Sequence, residues 1–235
     1  MSILGSVWQW FTDPAHWQGA DGIPTRLGEH VLLSAESVLI GAVIALPLGI
    51  ALGHYGRFGN LAINISNVGR AVPSFGILVI AFQVFGLGNV PIILALTALA
   101  IPPMVTNSYV ALREVDPDIR EAARGMGYRE PAQLLRVELP LAVPLIMAGI
   151  RTSAVQVVAT ATLAALIAGG GLGRFIIDGF AQLNYTMTIA GAILVALLAL
   201  ATDLSLSGVE RLLVPRGIRL LMAPKMRRAN TFKVA

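Results

Sequence analysis

The stretch AVPSFGILVIAFQVFGLGNVPIILALTALAIPPMVTNSYVAL, residues 71–112, contains no charged side chain. A helix needs about 20 mainly apolar residues to cross the hydrocarbon core of a bilayer, so this stretch is long enough for two crossings. The run Gly-Leu-Gly-Asn-Val-Pro at 86–91 is a turn signal that divides it. We therefore predict two membrane spans here, at 66–86 and 90–110.

Three further uncharged stretches are long enough for one crossing each. They lie between Glu36 and Arg57, between Arg151 and Arg174, and between Asp178 and Asp203. They are rich in Leu, Ile and Ala and do not alternate with polar residues, which favours helices over the strands of a membrane barrel. The chain is thus predicted to be an all-α integral membrane protein with five transmembrane helices, at 27–53, 66–86, 90–110, 141–168 and 187–210.

The composition agrees with a membrane domain. Hydrophobic residues make up 56% and charged residues 13% of the 235 positions, whereas charged residues average about 25% in soluble domains. So few charges do not cover a water-facing surface, which argues against a soluble enzyme and against disorder. The chain contains no cysteine, which excludes disulfides, iron–sulfur clusters and thiol catalysis within it.

Basic residues predict the orientation, because cytoplasmic loops of membrane proteins are enriched in Lys and Arg. If residues 111–140 lie in the cytoplasm, only Arg26 and Arg174 lie outside, while Arg70 and Arg151 fall at or within spans. The remaining basic residues are then inside: Arg57, five arginines of 113–136 and seven Lys or Arg of 211–233. We expect the amino terminus outside and the carboxyl terminus inside the cell.

The two ends of the chain differ from the membrane part, which we place at 27–213. Residues 1–26 lack the basic start and the long apolar run of a signal peptide. Their tryptophans suit a segment that lies at the outer membrane interface, with a loosely ordered tail as the alternative. Residues 214–235 form a basic cytoplasmic tail, for which we predict contact with anionic lipid headgroups.

Patterns for catalysis and for metal binding are missing from the chain. Both lysines, Lys225 and Lys233, lie in the tail, so no GxxxxGK[ST] phosphate loop can be written. The three histidines are far apart and lack carboxylates at ligand spacing, so no metal site is predicted. We expect neither enzyme activity, nor a cofactor, nor a nucleic-acid partner for this chain.

One polar stretch, residues 111–140, interrupts the apolar pattern and holds six of the 13 acidic residues. Asp116-Pro117 is typical of a helix start, and Gly127 is placed to end that helix in the left-handed conformation. A second short helix is expected around 131–137. Small side chains on the first helix would let a partner approach closely, whereas a merely solvated loop is the alternative. The apolar stripe at helical spacing consists of Ile119, Ala122, Ala123 and Met126.

This stretch resembles the EAA loop of ABC-importer permeases. That loop reads EAA, three residues, Gly, nine residues and Ile-x-Leu-Pro, and the chain matches it with Glu121-Ala122-Ala123, Gly127 and 137–140. Val137 in place of Ile is the one departure. The resemblance implies that the EAA residues and Gly127 contact an ATP-binding subunit and that the Leu-Pro pair opens the next span. The implied coupling residues are Glu121, Ala122, Ala123, Gly127, Val137, Leu139 and Pro140.

Other segments in the same order are similar to the glycine betaine/carnitine/choline permeases of osmoprotectant importers, and the likeness covers about residues 27–213. The matching segments are 67–74, 115–117, 148–152, 161–167 and 169–173. The resemblance implies the fold of a type I ABC importer permease, which moves a quaternary amine by alternating access. Its implied partners are ATPase subunits that bind ATP and Mg, a second permease copy or paralogue, and an extracytoplasmic substrate-binding protein.

Two other functions stay open. A methionine-type amino-acid importer permease has the same number of spans and the same loop. An ion-coupled secondary transporter is the other alternative, although it would be expected to show inverted repeats, and five spans do not divide into two equal halves.

Polar groups inside spans are costly and mark candidate functional positions. Arg151 and Asp203 fall at similar depth, and we predict that they pair across two helices, with snorkelling to the interface as the alternative. Pro73 predicts a kink beside the pathway or in a packing helix. The glycine-rich run 169–173 predicts a tight turn after the fourth span. The candidate pathway residues are Pro73, Ser74, Gln83, Arg151, Gln156, Thr160 and Asp203.

Overall fold

The computed structural model describes residues 2–56 and 73–214, together with positions 64 and 217, and within these residues every regular element is a helix. The helices in chain order are α1 Ile3–Thr12, α2 Ile23–Tyr55, α3 Ser74–Phe85, α4 Asn89–Arg113, α5 Pro117–Gly125, α6 Glu130–Gln133, α7 Leu139–Thr160, α8 Gly173–Ala181 and α9 Tyr185–Leu213. A π-helical turn, Leu134–Glu138, leads into α7, and a 3-10 helix, Ala161–Ile167, continues it.

Four helical segments are long and apolar enough to cross a membrane, and they confirm four of the five predicted spans. They are α2, α4, the continuous segment Glu130–Ile167 and α9. The fifth predicted span, 66–86, lies partly outside the described residues, and its described part is the 12-residue helix α3. Most of the predicted basic tail, 214–235, also lies outside them.

The kink predicted at Pro73 is corrected by the structure. Pro73 has extended backbone, with φ −60° and ψ 123°, and is the N-cap residue of α3. A proline lacks the N–H that a helix interior needs, but the first positions of a helix require no such donor. Pro73 therefore lies at a helix start and does not bend a helix that continues through it.

The centre of the bundle is the contact between α2 and α4, and α7 packs against both of them. Small residues recur every fourth position along α2, at Gly41, Ala45, Gly49 and Gly53, and all four are buried. A Cβ added at Gly49 would lie only 2.7 Å from a backbone oxygen of α4, and the same holds at Gly53. The two backbones thus touch directly, which is how helices associate in lipid, where packing replaces the hydrophobic effect.

Buried hydroxyl groups connect the central helices further. Ser153 of α7 donates a hydrogen bond to the carbonyl oxygen of Ala100 at 2.8 Å, and Thr97 of α4 donates to the backbone carbonyl oxygen of Ser37 at 3.3 Å. A buried polar group is costly unless it is hydrogen-bonded. These bonds therefore satisfy the hydroxyls and also fix how α2, α4 and α7 sit against one another.

The segment before α2 is helical and packs on the bundle. Trp10 of α1 is buried, and its ring centroid lies 5.4 Å from that of Phe175 in an edge-to-face arrangement. Trp17 closes the following turn by donating to the carbonyl oxygen of Phe11 at 2.8 Å. Exposed apolar side chains such as Trp8 remain on the outside of α1, and its place at the outer membrane interface stays a prediction.

Candidate functional site

The candidate site is residues 116–138, and we call the end of the bundle that carries them the loop end. The helix α5 begins as predicted from Asp116-Pro117. The Oδ1 atom of Asp116 accepts a hydrogen bond from the N–H of Asp118 at 2.9 Å, and Pro117 is in the first turn. A carboxylate at this position also faces the positive end of the helix dipole. The start of α5 is therefore specified locally.

The end of α5 is also the predicted one. Gly127 has φ +83°, a left-handed conformation that glycine adopts without strain. The N–H of Tyr128 bonds to the carbonyl oxygen of Ala123 at 3.1 Å, and the N–H of Gly127 bonds to that of Arg124 at 2.9 Å. This pair of bonds is the Schellman ending, in which a glycine reverses the chain just after the helix.

One side of α5 packs on the bundle and the other is exposed. Ala123 is buried, whereas Glu121 and Ala122 are exposed. Two larger apolar side chains of the predicted stripe are also exposed: Ile119 at 41% and Met126 at 71%. Apolar side chains that project together from a polar loop mark a surface for a partner. In the described part of the chain, Ile119, Ala122 and Met126 of the predicted stripe are uncovered, whereas Ala123 is covered by the bundle.

The second short helix, predicted around 131–137, is present, but it is continuous with the membrane-spanning helix that follows. α6 runs through the π-helical turn into α7, and the N–H of Leu139 bonds to the carbonyl oxygen of Leu134, five residues back. Pro140 has no N–H to donate, so the regular ladder is interrupted here in any case, and a wider π turn absorbs the interruption. Val137, Leu139 and Pro140 are partly buried at this transition.

Behind α5 lies a buried polar cluster that we did not predict. The side chain of Glu138 is fully buried, and its Oε2 lies 2.7 Å from Nδ1 of His54 at the end of α2. Gln133 donates from Nε2 to Oε1 of Glu138 at 2.8 Å. Arg120 of α5 has its Nε 3.7 Å from the same Oε1, and it donates to the carbonyl oxygen of Leu112. One carboxylate thus joins α2, α5 and the segment that leads into α7.

A signal for this cluster was present in the sequence. Glu138 precedes the Leu-Pro pair at which a span was expected to open, and His54 follows the last predicted residue of the first span. Both residues were therefore expected at the same membrane surface. Their contact joins residues 84 positions apart, which residue spacing alone does not reveal.

The opposite end of the bundle, which we call the glycine end, contains the turn 169–173. Gly171 has φ +89°, and its N–H donates to Oε2 of Glu29 at 2.8 Å. The N–H of Leu172 donates to Nδ1 of His30 at 3.2 Å. The tight turn predicted here is present, and two adjacent side chains of α2 hold its backbone.

The contacts of His30 define its protonation. Nδ1 accepts from the N–H of Leu172, so the ring proton is on Nε2, which lies 2.9 Å from the carbonyl oxygen of Val158 and donates to it. The side chain is 1% exposed. His30 is therefore a neutral imidazole with both nitrogens paired, and it connects α2, α7 and the turn.

The predicted pair of Arg151 and Asp203 is confirmed. Nε of Arg151 in α7 lies 2.9 Å from Oδ1 of Asp203 in α9, and its Nη1 lies 3.4 Å from Oε2 of Glu210. The side chains of the first two are 36% and 42% exposed. Two carboxylates thus share one guanidinium, and the group as a whole has an excess of negative charge.

The other candidate pathway residues do not form one group. Ser74 and Thr160 line the same small cavity between α3 and α4. Gln83 of α3 and Gln156 of α7 are exposed on separate helices, and Pro73 is at the start of α3. The structure therefore brings together two pairs, Ser74 with Thr160 and Arg151 with Asp203. A role of these residues in a pathway stays a prediction.

Comparison with known proteins gives consistent matches. The glycine betaine/carnitine/choline transport system permease protein OpuCB of Bacillus subtilis is 37% identical over 194 residues, which cover 83% of this chain and 89% of that protein. The choline transport system permease protein OpuBB of the same organism is 38% identical, over 82% and 89%. The carnitine transport permease protein OpuCB of Listeria monocytogenes is 38% identical, over 81% and 88%.

The fold also matches solved structures. A chain of the MetNI methionine ABC transporter in an inward facing conformation aligns with a TM-score of 0.73 at 22% identity, over 86% of this chain and 99% of that chain. This likeness confirms the predicted fold of a type I ABC importer permease. The protein family described as "Binding-protein-dependent transport system inner membrane component" matches residues 41–218. This chain belongs to that family.

Proposed function

We propose that this chain is the permease of an ATP-driven importer for a quaternary-amine osmoprotectant such as glycine betaine, choline or carnitine. The observation that carries the proposal is the 37–38% identity, over more than four fifths of the chain, to permeases named for these solutes. The loop supports the mechanism, because α5 has the defined ends and the uncovered apolar face that a docking helix needs.

The orientation is part of this proposal. The loop end lies in the cytoplasm and the glycine end lies outside, with the amino terminus also outside. The arginines of 113–136 support this arrangement, since basic loops stay on the cytoplasmic side. A separate binding protein would then deliver solute to the glycine end.

ATP binding and hydrolysis belong to separate cytoplasmic subunits, which hold the Mg and which dock on Glu121 and Ala122 of α5 and on Gly127 just after it. Ala123, which the EAA pattern also assigns to this contact, is buried against the bundle in this structure and would be reached only if α5 moved. A second permease, identical or a paralogue, completes the pathway. The transporter has two packings, and ATP-bound subunits bind one of them better, which shifts the population between inward and outward access. The ATPase would act on α5, and α5 passes the movement to the spans.

The group of Arg151, Asp203 and Glu210 is proposed to face the pathway or the second permease. Charged side chains that are a third or more exposed at membrane depth need water or protein around them and not lipid. An excess carboxylate would attract a trimethylammonium group without holding it tightly, which suits release. The remaining candidates for the lining are Pro73, Ser74, Gln83, Gln156 and Thr160.

The test is uptake by vesicles that contain the permease with its ATPase and binding protein. We expect ATP-dependent uptake of labelled glycine betaine, choline or carnitine, and none of labelled methionine. Uptake of methionine alone would move the chain to the amino-acid importers. Uptake driven by an ion gradient without ATP would contradict the importer mechanism itself.

A further inference from the structure

We propose that Glu138 is the positioning residue through which a movement of α5 reaches α2 and α7. This inference rests on the proposed function, since it assigns a route to the movement that the ATPase subunits would produce. It adds a residue outside the coupling set that the EAA pattern implies.

Glu138 connects three parts of the fold through its carboxylate. Glu138 is fully buried and uses both carboxylate oxygens, Oε2 toward His54 of α2 and Oε1 toward Gln133 of α6. Arg120 of α5 approaches the same Oε1 at 3.7 Å. Glu138 itself is one residue before α7, so a displacement of α5 acts on a carboxylate that is already attached to two membrane-spanning segments.

Arg120 lies between the exposed face of α5 and the bundle. It precedes Glu121, which is exposed on the docking face, and its own side chain is 13% exposed on the side turned to the bundle. Arg120 also donates to the carbonyl oxygen of Leu112 near the end of α4. Force on the exposed face of α5 is therefore transferred by this arginine to α4 and to Glu138.

Within the described residues, the cluster around Glu138 contains one unused hydrogen-bond donor and one unused acceptor. Nε of Arg120 and Oε1 of Gln133 are both buried, and neither has a hydrogen-bond partner in the described part of the chain. A guanidinium N–H is a donor and an amide oxygen is an acceptor, so a rearrangement of the cluster that brings the two together would pair both. Beside Gln133 lies a cavity of about 370 Å³, lined also by His54, Tyr55, Arg124 and Glu130, which gives the amide of Gln133 room to move.

A cluster with two alternative pairings behaves as a switch and not as a rigid strut, because packed elements change between discrete arrangements. The 2.7 Å contact of Nδ1 of His54 with Oε2 of Glu138 keeps α2 attached in the arrangement seen here. Exchange of Arg120 between Glu138 and Gln133 would then accompany the movement of α5.

The experiment compares Glu138→Gln with Glu114→Gln in vesicles that contain the whole transporter, and measures osmoprotectant uptake per ATP hydrolysed. Glu114 is an exposed acidic residue just after α4 that makes no ion pair with any residue the structure describes, so it is the matched control. For Glu138→Gln we expect the ratio to fall roughly 2- to 30-fold, the range for residues that transmit coupling. For Glu114→Gln we expect no change.

A second readout is hydrogen exchange of the backbone amides in 117–128, measured on the same transporter. Glu138→Gln is expected to speed exchange in α5 and to leave α9 unchanged. His54→Gln should lower the ratio as well, and the double variant should be no worse than Glu138→Gln, because both changes act on one contact. If the transporter with Glu138→Gln does not assemble, the uptake ratio and the hydrogen exchange of α5 are measured on His54→Gln instead. Unchanged values for His54→Gln would then overturn the inference.

An unchanged uptake ratio together with unchanged exchange in α5 would overturn the inference. A proportional loss of uptake and ATP hydrolysis, with exchange raised equally in α5 and α9, would also overturn it, since it indicates general destabilisation. If the wild-type transporter takes up no osmoprotectant, the proposed function fails separately. Hydrogen exchange in α5 compared with α9 then still tests whether Glu138 holds α5 to the bundle.

Discussion

The two ends of the bundle use α2 in different ways. At the glycine end, Glu29 and His30 bind backbone N–H groups of the turn, and both ring nitrogens of His30 are paired. At the loop end, His54 binds the side chain of Glu138, in a cluster that still contains an open donor and an open acceptor. At the glycine end both ring nitrogens of His30 are thus used, although the hydroxyl of Ser34, one turn further along α2, is buried without a partner in the described part of the chain. At the loop end the open donor and the open acceptor lie in the cluster itself.

This difference separates a fixed end from a movable one. A fully paired buried network specifies one geometry, while an incompletely paired one is costly and has other arrangements close in free energy. We therefore expect changes at the glycine end to lower stability in proportion to the bonds lost. Substitutions at the loop end should in addition alter the amount of solute taken up per ATP hydrolysed.

The largest expected loss of stability comes from Glu138→Leu. It leaves the guanidinium of Arg120 buried without its carboxylate, and breaking a buried ion pair from one side costs about 3–5 kcal/mol. Thermal unfolding of the purified permease in detergent measures this. Glu114→Leu should change the unfolding midpoint little, and equal losses for the two variants would show that Glu138 has no special role.

The next largest effect is expected from His30→Ala. It removes the ring that accepts from the Leu172 N–H and donates to the Val158 carbonyl, and a buried donor left unpaired costs about 1–3 kcal/mol. His30→Asn should lose less, because an amide oxygen can still accept from Leu172. If unfolding measurements give the same loss for both variants, the bond from the Leu172 N–H to His30 does not contribute to stability.

The smallest effect is expected from the pair between the two ends, Arg151 with Asp203. Both side chains are a third or more exposed, so a double-mutant cycle with Arg151→Gln and Asp203→Asn should give a coupling energy of about 0.2–1 kcal/mol. Unfolding of the four proteins measures it. If Asp203→Asn left folding and transport unchanged while Arg151→Gln abolished both, the pair would have no functional meaning.

Much of the fold was predictable, because membrane spans are encoded by length and charge alone. Stretches without charge located α2, α4, α7 and α9, since a charged side chain in hydrocarbon is too costly to hide. The bounds were less accurate: α2 starts at Ile23 and not at 27. Its first turns carry Arg26 and Glu29, which bind each other at 2.9 Å, so the charges did not end the helix.

The candidate site was predictable where its signals are local. Asp116, Pro117 and Gly127 act within a few residues, and each has its expected position in α5. The contact of His54 with Glu138 was not predictable, because it depends on how α2 packs against α4 and α7. The glycines of α2 that set this packing are visible in the sequence, but their partners on α4 are not.

The most direct test of the account is ATP-driven uptake of glycine betaine with Glu121→Arg in the permease and Glu114→Arg as the matched control. Glu121 lies on the exposed face of α5, and a reversed charge at a docking surface disfavours the partner. We predict that Glu121→Arg lowers both uptake and co-purification with the ATPase at least about tenfold, and that Glu114→Arg retains both. Uptake that is unaffected by Glu121→Arg, or that proceeds without ATP, would contradict the account.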